Sequence, residues 1–214
     1  KYFNTEVATV QWVVTIYLLV VSGLLLAFGR LGDLRGNKNV YVWGFVIFVI
    51  GSAFSGFSPT PGFLIASRAV QALGAAMLFA NSPAILTKTF PGVERGRALG
   101  LQGTMTYLGL TTGPFLGGWL ASRFGWHSVF FINVPIGLLA TWLSWRTIPD
   151  DSPSEHAERF DLYGSLTFMA GLVILLFALN RGGQWGGLSP LILGLLPASI
   201  SILLLFVGIE LRTP

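Results

Sequence analysis

The sequence predicts an all-α membrane protein, a helical bundle with seven transmembrane helices. Charged residues make up only 10% of the chain, against about 25% in soluble domains, and hydrophobic residues make up 53%. The mean hydropathy is +0.70. Seven stretches are long enough to cross a bilayer at about 1.5 Å of rise per residue, and six of them carry no charge. A chain of this composition is not soluble by itself.

The predicted helices are separated by turns that hold the charges, glycines and prolines. Arg68 is the one ionisable residue inside any of them. Hydrophobic runs this many and this long exclude a signal peptide or a lipid anchor as their explanation. The predicted helices span Val7–Gly29, Val40–Phe57, Phe63–Thr87, Ala98–Ser122, Ser128–Trp145, Leu162–Asn180 and Leu188–Ile209.

The distribution of basic residues predicts how these helices are oriented. Alternate loops place nine lysines and arginines on one side of the membrane and three on the other. By the positive-inside rule the basic loops face the cytoplasm, and we expect a plasma membrane, a bacterial inner membrane in particular. The seven tryptophans fall toward helix ends or loops, which is typical of interfacial belts. The basic charge therefore indicates loop anchors beside a lipid bilayer, not a nucleic-acid surface.

One shift of composition divides the chain. Residues 149–161 hold five of the nine acidic residues and have the composition of a cytoplasmic linker. Residues 1–148 then form a five-helix block, and residues 162–214 contain two further helices. Because the first residue is Lys1 and no export signal precedes it, we expect a piece of a longer protein that lacks at least one earlier helix.

The first predicted loop, Gly29–Tyr41, carries a carboxylate among cations. Asp33 lies between the turn glycines Gly32 and Gly36. A carboxylate held in this way can form charge-assisted hydrogen bonds that break and reform as helices move. The alternative is a basic loop that only fixes orientation. The cations around Asp33 are Arg30, Arg35 and Lys38.

The third predicted helix contains the unusual charge of Arg68. A charged side chain inside the membrane is costly and marks a functional site by default. Gln71 lies one turn further along the same face, so the two side chains can share a polar site. The alternative is a structural hydrogen bond between helices.

The fourth predicted helix is rich in glycine. Gly109, Gly113 and Gly117 are spaced four apart, so they line one face and let a neighbouring backbone come close. Pro114 removes the amide that would bond the carbonyl of Leu110, so the helix can bend there. These features favour a moving part, and tight static packing is the alternative.

Isolated polar side chains in the predicted helices are candidates for lining a cavity. In lipid such groups usually face the bundle and form hydrogen bonds there, so packing between helices is an equally good explanation for each. The candidates are Gln11, Thr15, Asn81, Gln102 and Asn133. The sequence has no cysteine, no metal-ligand spacing and no nucleophile–base pair. We therefore expect neither a metal site nor an enzyme.

Three of these stretches resemble signatures of the major facilitator superfamily. The first loop resembles the cytoplasmic signature G-x-L-a-D-r-x-G-r-k but departs from it at Leu34 and Asn37, where the family usually has a basic residue. The segment Ser67–Ala76 resembles R-x-x-Q-G-x-g-a-a, with Ala72 in place of the first glycine. The antiporter signature g-x8-G-x3-G-P-x2-G-G is matched at every position, by Gly100, Gly109, Gly113, Pro114, Gly117 and Gly118.

Further stretches resemble the fourteen-helix drug:proton antiporter branch of that family. These are Thr9–Leu19 and Phe130–Gly137, together with FDLYGSLTF and NRGGQWGG after the linker, which resemble the two extra helices of that branch. The chain then corresponds to the second through eighth helices of fourteen. It would be most of the amino-terminal half followed by the two extra helices.

The resemblance implies a proton-coupled exporter of amphipathic small molecules that works by alternating access and needs no cofactor beyond the proton gradient. Its partners would be the substrate and the carboxyl-terminal half of the same protein. The resemblance further implies that Arg68 tunes a nearby carboxylate. It also implies that the loop with Gly29, Asp33, Arg35, Gly36 and Lys38 contacts the other half as a gate. An exporter of an endogenous lipid or metabolite, and a non-transporting scaffold or receptor, are the alternatives.

All nine acidic residues lie in predicted loops or at helix ends. Proton-coupled transport requires a carboxylate whose pKa the membrane interior raises toward neutrality. We therefore expect the proton acceptor to lie on a helix outside this chain, with Arg68 as its modulator.

Overall fold

The computed structural model describes residues 7–151, 162–185 and 189–210, and within them every regular element is an α-helix. The prediction of an all-α bundle is confirmed. A single residue, Ile132, separates two helices that together form the crossing predicted at Ser128–Trp145. The helices are α1 (Val7–Arg35), α2 (Asn37–Gly56), α3 (Pro61–Thr89), α4 (Gly92–Phe124), α5 (Ser128–Phe131), α6 (Asn133–Thr147), α7 (Leu162–Trp185) and α8 (Pro190–Glu210).

Five of these crossings are both long enough and apolar enough to span a membrane. They are α1, α2, α3, α5 with α6, and α8. Helix α4 has 33 residues, which gives it a length of about 50 Å, but its glycines and threonines make it less apolar than the other five. Helix α7 contains a shorter apolar stretch, Thr167–Leu179.

The helices run beyond the charge-free stretches that predicted them. The prediction of a loop at Gly29–Tyr41 is wrong, because α1 continues to Arg35 and α2 begins at Asn37. Gly36 alone turns the chain, with a φ of +89°, a conformation that suits glycine because it has no Cβ. Similarly, the NRGGQWGG stretch is helical as far as Trp185. Charges near a helix end can reach the membrane surface without ending the helix.

The centre of the bundle is the crossing of α2 and α3. A Cβ on Gly51 would lie 2.5 Å from Cα of Gln71, and a Cβ on Gly74 would lie 2.5 Å from the carbonyl oxygen of Gly44. The backbones of the two helices therefore touch where these glycines lack side chains, as in other small-residue membrane interfaces. The alanines beside this crossing on α3, Ala72, Ala75 and Ala76, are buried.

The remaining helices pack around this pair. Helix α6 lies against α2, where Gly137 faces Val49, and α1 lies against both α2 and α3. Helices α7 and α8 pack on each other, and α7 also packs on α1 through the rings of Trp12 and Phe177, whose centroids are 5.7 Å apart. The pair that follows the linker is thus attached to the bundle through α1.

Helix α4 is packed differently from the rest. Among the described helices it contacts α3 and α5 alone, and none of its residues is buried. The glycines of its predicted smooth face have no heavy atom within 4 Å of an added Cβ, except Gly117, which would lie 4.0 Å from Val129. Within the part of the chain that the structure describes, no neighbouring backbone uses this face.

Candidate functional site

Arg68 lies on α3 about two turns after the helix begins, and its side chain faces α1 inside the bundle. Its Nη1 donates to Oε1 of Gln71 at 2.7 Å, and its Nε donates to the carbonyl oxygen of Val13 at 3.3 Å. The guanidinium also lies 4.1 Å from the centroid of the Tyr17 ring, within the range of a cation–π interaction. The structure therefore brings Arg68 and Gln71 together and connects both to α1.

Gln71 extends this network to the other helices. Its Nε2 donates to Oγ of Ser52 on α2 at 3.0 Å, and Nδ2 of Asn133 on α6 donates to the same oxygen at 3.3 Å. Ser52 in turn donates to the carbonyl oxygen of Phe130 at 3.0 Å. Gln71 and Ser52 are almost fully buried, at 1% and 0% exposure. We refer to Arg68, Gln71, Ser52 and Asn133 as the Arg68 network.

The charge of the Arg68 network is not neutralised by any residue that the structure describes. Arg68 forms no ion pair with those residues, and the ion pairs among them lie at the opposite end of α3. The guanidinium is instead stabilised by neutral oxygens and an aromatic ring. Such an arrangement leaves its positive charge available to a carboxylate or a substrate that comes near it.

A cavity of about 490 Å³ lies between α1, α2, α3, α4 and α6. Its volume falls within the range of small-molecule sites, about 300–1,000 Å³. Two amides reach it, Gln102 and Asn133, and Gln102 donates to Oγ of Ser82 at 2.7 Å. Its aromatic lining consists of Tyr17, Tyr41, Phe45, Phe48 and Phe79. An aromatic wall with a few amides and hydroxyls suits compounds with an apolar ring system and polar substituents.

Three of the five polar residues predicted as cavity candidates lie elsewhere. Gln11 is exposed and Thr15 is half-buried on α1, and neither lines the cavity. Asn81 is fully buried near the other end of α3, where its Nδ2 donates to the carbonyl oxygens of Met77 and Phe28. Asn81 therefore does not line this cavity, because its buried amide is already bonded to these two carbonyls and to Asn37.

Asn81 belongs to a second polar cluster where α1 meets α2. Nδ2 of Asn37 donates to Oδ1 of Asn81 at 2.9 Å, and Asn37 is 1% exposed. Gly32 makes room for this pair, since its Cβ would lie 2.6 Å from Nδ2 of Asn37 and would overlap Asn81. The departure from the family signature at Asn37 thus has a structural counterpart, because a neutral amide pairs with the neutral amide of α3.

Asp151, which follows α6, completes this cluster. Its Oδ2 accepts from the backbone N–H of Asn37 at 2.7 Å, and its Oδ1 accepts from that of Lys38 at 3.1 Å. Nζ of Lys88, in the last turn of α3, donates to Asn37 and lies 3.3 Å from Asp151. We refer to Asn37, Lys38, Asn81, Lys88 and Asp151 as the basic-end cluster.

The surroundings of Asp151 favour its charged form. Burial raises the pKa of its carboxyl group. The backbone amides of Lys38 and Asn37 and the ammonium of Lys88 lower that pKa by more than burial raises it, so the pKa lies below its ordinary value of 3.8. Asp151 is ionised at neutral pH and holds its proton too weakly to carry one. Sequence reasoning assigned Asp151 to the linker and missed this role. The available signal was the preference of a helix N-terminus for an anion.

Asp33, the carboxylate predicted to lie among cations, is half-buried near the end of α1. The interactions among the described residues include no hydrogen bond or ion pair of Asp33. Gly29 lies near Ala80, and Arg35 is exposed at the last turn of α1. Lys38 pairs with Asp150 at 2.8 Å, and Gly36 turns the chain beside Asp151. The predicted gating residues therefore lie around the corner between α1 and α2. The carboxylate that binds the backbone at this corner is that of Asp151, not that of Asp33.

The antiporter-signature residues lie apart from both clusters. Gly100, Gly109, Gly113, Pro114, Gly117 and Gly118 are all on α4. Pro114 lies inside the helix, and the hydroxyls of Thr111 and Thr112 just before it bond back to carbonyls of the preceding turn. None of these six residues contacts Arg68 or Asp151, so the antiporter signature lies on a surface separate from both clusters.

Residues 1–212 match the family model described as Major Facilitator Superfamily. Over 199 residues the chain is 39% identical to the riboflavin transporter RibZ of Clostridioides difficile, covering 92% of this chain and 44% of that protein. It is 35% identical over 204 residues to the multidrug resistance protein Stp of Mycobacterium tuberculosis, covering 95% of this chain and 38% of that protein. It is also 35% identical over 208 residues to the cephamycin export protein CmcT of Amycolatopsis lactamdurans, covering 96% and 43%. The chain spans less than half the length of these relatives, and it belongs to the major facilitator superfamily of membrane carriers.

Proposed function

We propose that the protein carrying this chain exports amphipathic small molecules in exchange for protons, by alternating access. The observation that carries the proposal is the Arg68 network, in which groups from α1 and α3 hold the guanidinium inside a membrane bundle and none of the residues that the structure describes forms an ion pair with it. A structural arginine would be expected to be paired, because an unpaired charge in the membrane is costly. The names of the relatives, which include multidrug resistance and cephamycin export proteins, support the direction of transport.

The Arg68 network has the chemistry to tune a proton-binding carboxylate. Burial in a membrane raises the pKa of a carboxyl group, and a nearby arginine lowers it again. At about 5 Å and an effective dielectric constant of about 20, the attraction is ~3 kcal/mol, equivalent to about 2 pKa units. A carboxylate placed there by a helix outside this chain would titrate near neutral pH. It would then take up a proton on one side of the membrane and release it on the other.

The cavity supports the proposed substrate class. Its aromatic side chains offer stacking surfaces to a ring system, and Gln102 and Asn133 offer amides to polar substituents. Tyr17 connects the cavity to the Arg68 network, because its ring lines the cavity and also stacks with the guanidinium. A bound substrate would therefore lie one side chain away from the charge that tunes proton binding.

The open face of α4 and the corner at Gly36 supply the proposed moving surfaces. In alternating access one half of a transporter rocks against the other around a site near the bilayer midplane. A glycine face with no neighbour among the described helices fits a surface that meets the other half. The basic end, which holds the corner, would face the cytoplasm of a bacterial inner membrane.

The proposal is tested by dye transport in inside-out vesicles that contain the full-length protein. We expect dye accumulation only when the vesicle interior is made acidic, and loss of accumulation when a protonophore collapses the gradient. Arg68→Gln should lower gradient-driven accumulation at least tenfold. The matched control is Arg146→Gln, which removes a cation that lies near the Trp142 ring at the end of α6, and it should stay within about twofold.

A second candidate is the export of an endogenous metabolite, and the similarity to a protein named as a riboflavin transporter supports a metabolite as the substrate. The same vesicles distinguish the two. Transport of a metabolite that ignores the pH gradient would support the second candidate, and full gradient-driven activity in Arg68→Gln would remove Arg68 from the mechanism. Vesicles that move neither class of compound would favour a scaffold or receptor.

A further inference from the structure

We propose that Asp151 is a positioning residue of this transporter: from the segment that follows α6 it caps α2, and it joins that segment to α2 and α3 at the basic end. The cap is formed by hydrogen bonds within this chain. Its influence on transport rests on the function proposed above.

Helix α2 has no local side-chain cap at Gly36. The first amides of a helix have no partner inside the helix and need one from outside. Gly36 precedes α2 and offers no side chain, whereas the neighbouring helix α3 is capped locally by Thr60, whose Oγ1 accepts from the N–H of Phe63 at 3.2 Å. Asp151 replaces the local cap by binding two amides of α2 from a position more than 110 residues later in the chain.

Both carboxylate oxygens of Asp151 accept hydrogen bonds. Oδ1 accepts from the amide of Lys38, while Oδ2 accepts from the amide of Asn37 and from Nζ of Lys88. An asparagine at this position has a single acceptor oxygen and carries no charge, so it cannot replace all three interactions. The approach is also close, because a Cβ on Gly36 would lie 3.0 Å from the carbonyl oxygen of Asp151.

The adjacent Asp150 differs from Asp151 in burial and in its contacts. The side chain of Asp151 is 19% exposed, whereas that of Asp150 is 95% exposed and, among the described residues, pairs with Lys38 alone. Exposed ion pairs contribute little because water and salt screen them. Asp150 therefore serves as a matched control of identical charge that lacks the cap.

These contacts give Asp151 influence over motion. The start of α2, the last turn of α3 and the segment that follows α6 meet at this one carboxylate. Asp151 follows the end of α6 by four residues, so a displacement of α6 that carries this short segment away from α2 breaks its hydrogen bonds. Loss of Asp151 should therefore change the rate at which the protein cycles, while leaving substrate affinity unchanged.

Hydrogen exchange of the full-length protein in detergent tests the cap without relying on transport. In Asp151→Ala the amides of residues 37–38 should exchange about fivefold faster, as expected for the loss of a helix cap, and Asp151→Asn should give a smaller increase. The start of α3, capped by Thr60, should be unchanged in both. Asp150→Asn should leave both segments unchanged. Unaltered exchange of residues 37–38 in Asp151→Ala would overturn the assignment of the cap.

Dye transport in vesicles tests the positioning role. We expect Asp151→Asn to lower the maximal rate about fivefold with an unchanged KM, and Asp150→Asn to stay within about twofold. Lys88→Gln, which removes the cation but keeps the two capping amides, should lower the rate less, and Lys88→Arg should restore it. Faster exchange in Asp151→Ala together with wild-type transport in Asp151→Asn would overturn the positioning role and leave the cap in place.

The two experiments separate the failure of this proposal from the failure of the proposed function. A wild-type protein that transports no dye would contradict the proposed function, and the exchange measurement would still decide whether Asp151 caps α2. If Asp151→Ala does not fold, the milder Asp151→Asn and Lys88→Gln variants carry the same comparison.

Discussion

Glycines occupy two helical surfaces of this protein in opposite ways. At the crossing of α2 and α3 they are covered, since Gly44, Gly51 and Gly74 each face the backbone or side chains of the partner helix. On α4 they are uncovered among the described residues, and the antiporter-signature glycines face open space except Gly117, whose added Cβ would lie 4.0 Å from Val129. Glycine spacing in the sequence therefore predicts a smooth helical face, but it does not predict whether another helix of the chain packs against that face. The covered glycines belong to the core, and the uncovered ones form a surface.

The largest expected effect comes from filling the covered crossing. Gly74→Leu would force a side chain into the carbonyl of Gly44 and the backbone of Phe48, so α2 and α3 must separate. We expect a loss of stability of about 3 kcal/mol or more, seen as a lowered melting temperature or as aggregation in detergent. The control is Gly103→Leu on α4, where an added Cβ meets nothing within 4 Å. Equal melting temperatures for the two variants would break the comparison.

A smaller effect is expected from the polar groups on the same two surfaces. Gln71→Leu removes the link between Arg68 and Ser52, leaving buried polar groups without their partner, and should cost about 2 kcal/mol. Gln102→Leu removes a single bond to Ser82 at the half-buried edge of α4 and should cost about 1 kcal/mol or less. Thermal unfolding of the two variants measures the difference. A larger loss for Gln102→Leu would mean that α4 is packed more firmly than its contacts indicate.

The smallest effect is the pH dependence of the basic-end cluster. The folded pKa of Asp151 lies below 3.8, so its contribution to stability is fully present above that value and is lost as the pH falls through the folded pKa. The stability difference between wild type and Asp151→Asn should therefore stay constant from about pH 8 to about pH 5 and shrink only in stronger acid. Thermal unfolding as a function of pH provides the measurement. A difference that disappears near neutral pH would contradict the lowered pKa.

The helices could be predicted from the sequence because a membrane leaves the backbone few choices. A long apolar run in lipid must satisfy its own amides, and a helix does so within the run. The end of a helix cannot be predicted from charges where the helix continues through them, as α1 does to Arg35. At the corner between α1 and α2, Gly36 is the single residue outside a helix, and its positive φ turns the chain.

The candidate site could be predicted only where its contacts are local. Arg68 and Gln71 are three residues apart on one helix, so helical geometry brings them together. Ser52 and Asp151 are joined to their partners through the packing of separate helices, and no short-range pattern records such a contact. Asn81 was assigned to the cavity for the same reason, since the sequence shows a polar residue on α3 but not the Asn37 that binds it.

The proposed transport cycle depends most on the open face of α4 being a moving surface. Dye export by the full-length protein carrying Gly113→Leu or Gly117→Leu tests it directly, with Thr112→Leu on the same helix as the control. We predict that export falls at least tenfold in the two glycine variants while membrane expression and melting temperature stay at wild-type values, and that Thr112→Leu keeps most of its activity. Full export by both glycine variants, or a loss of folding that matches the loss of export, would contradict the claim.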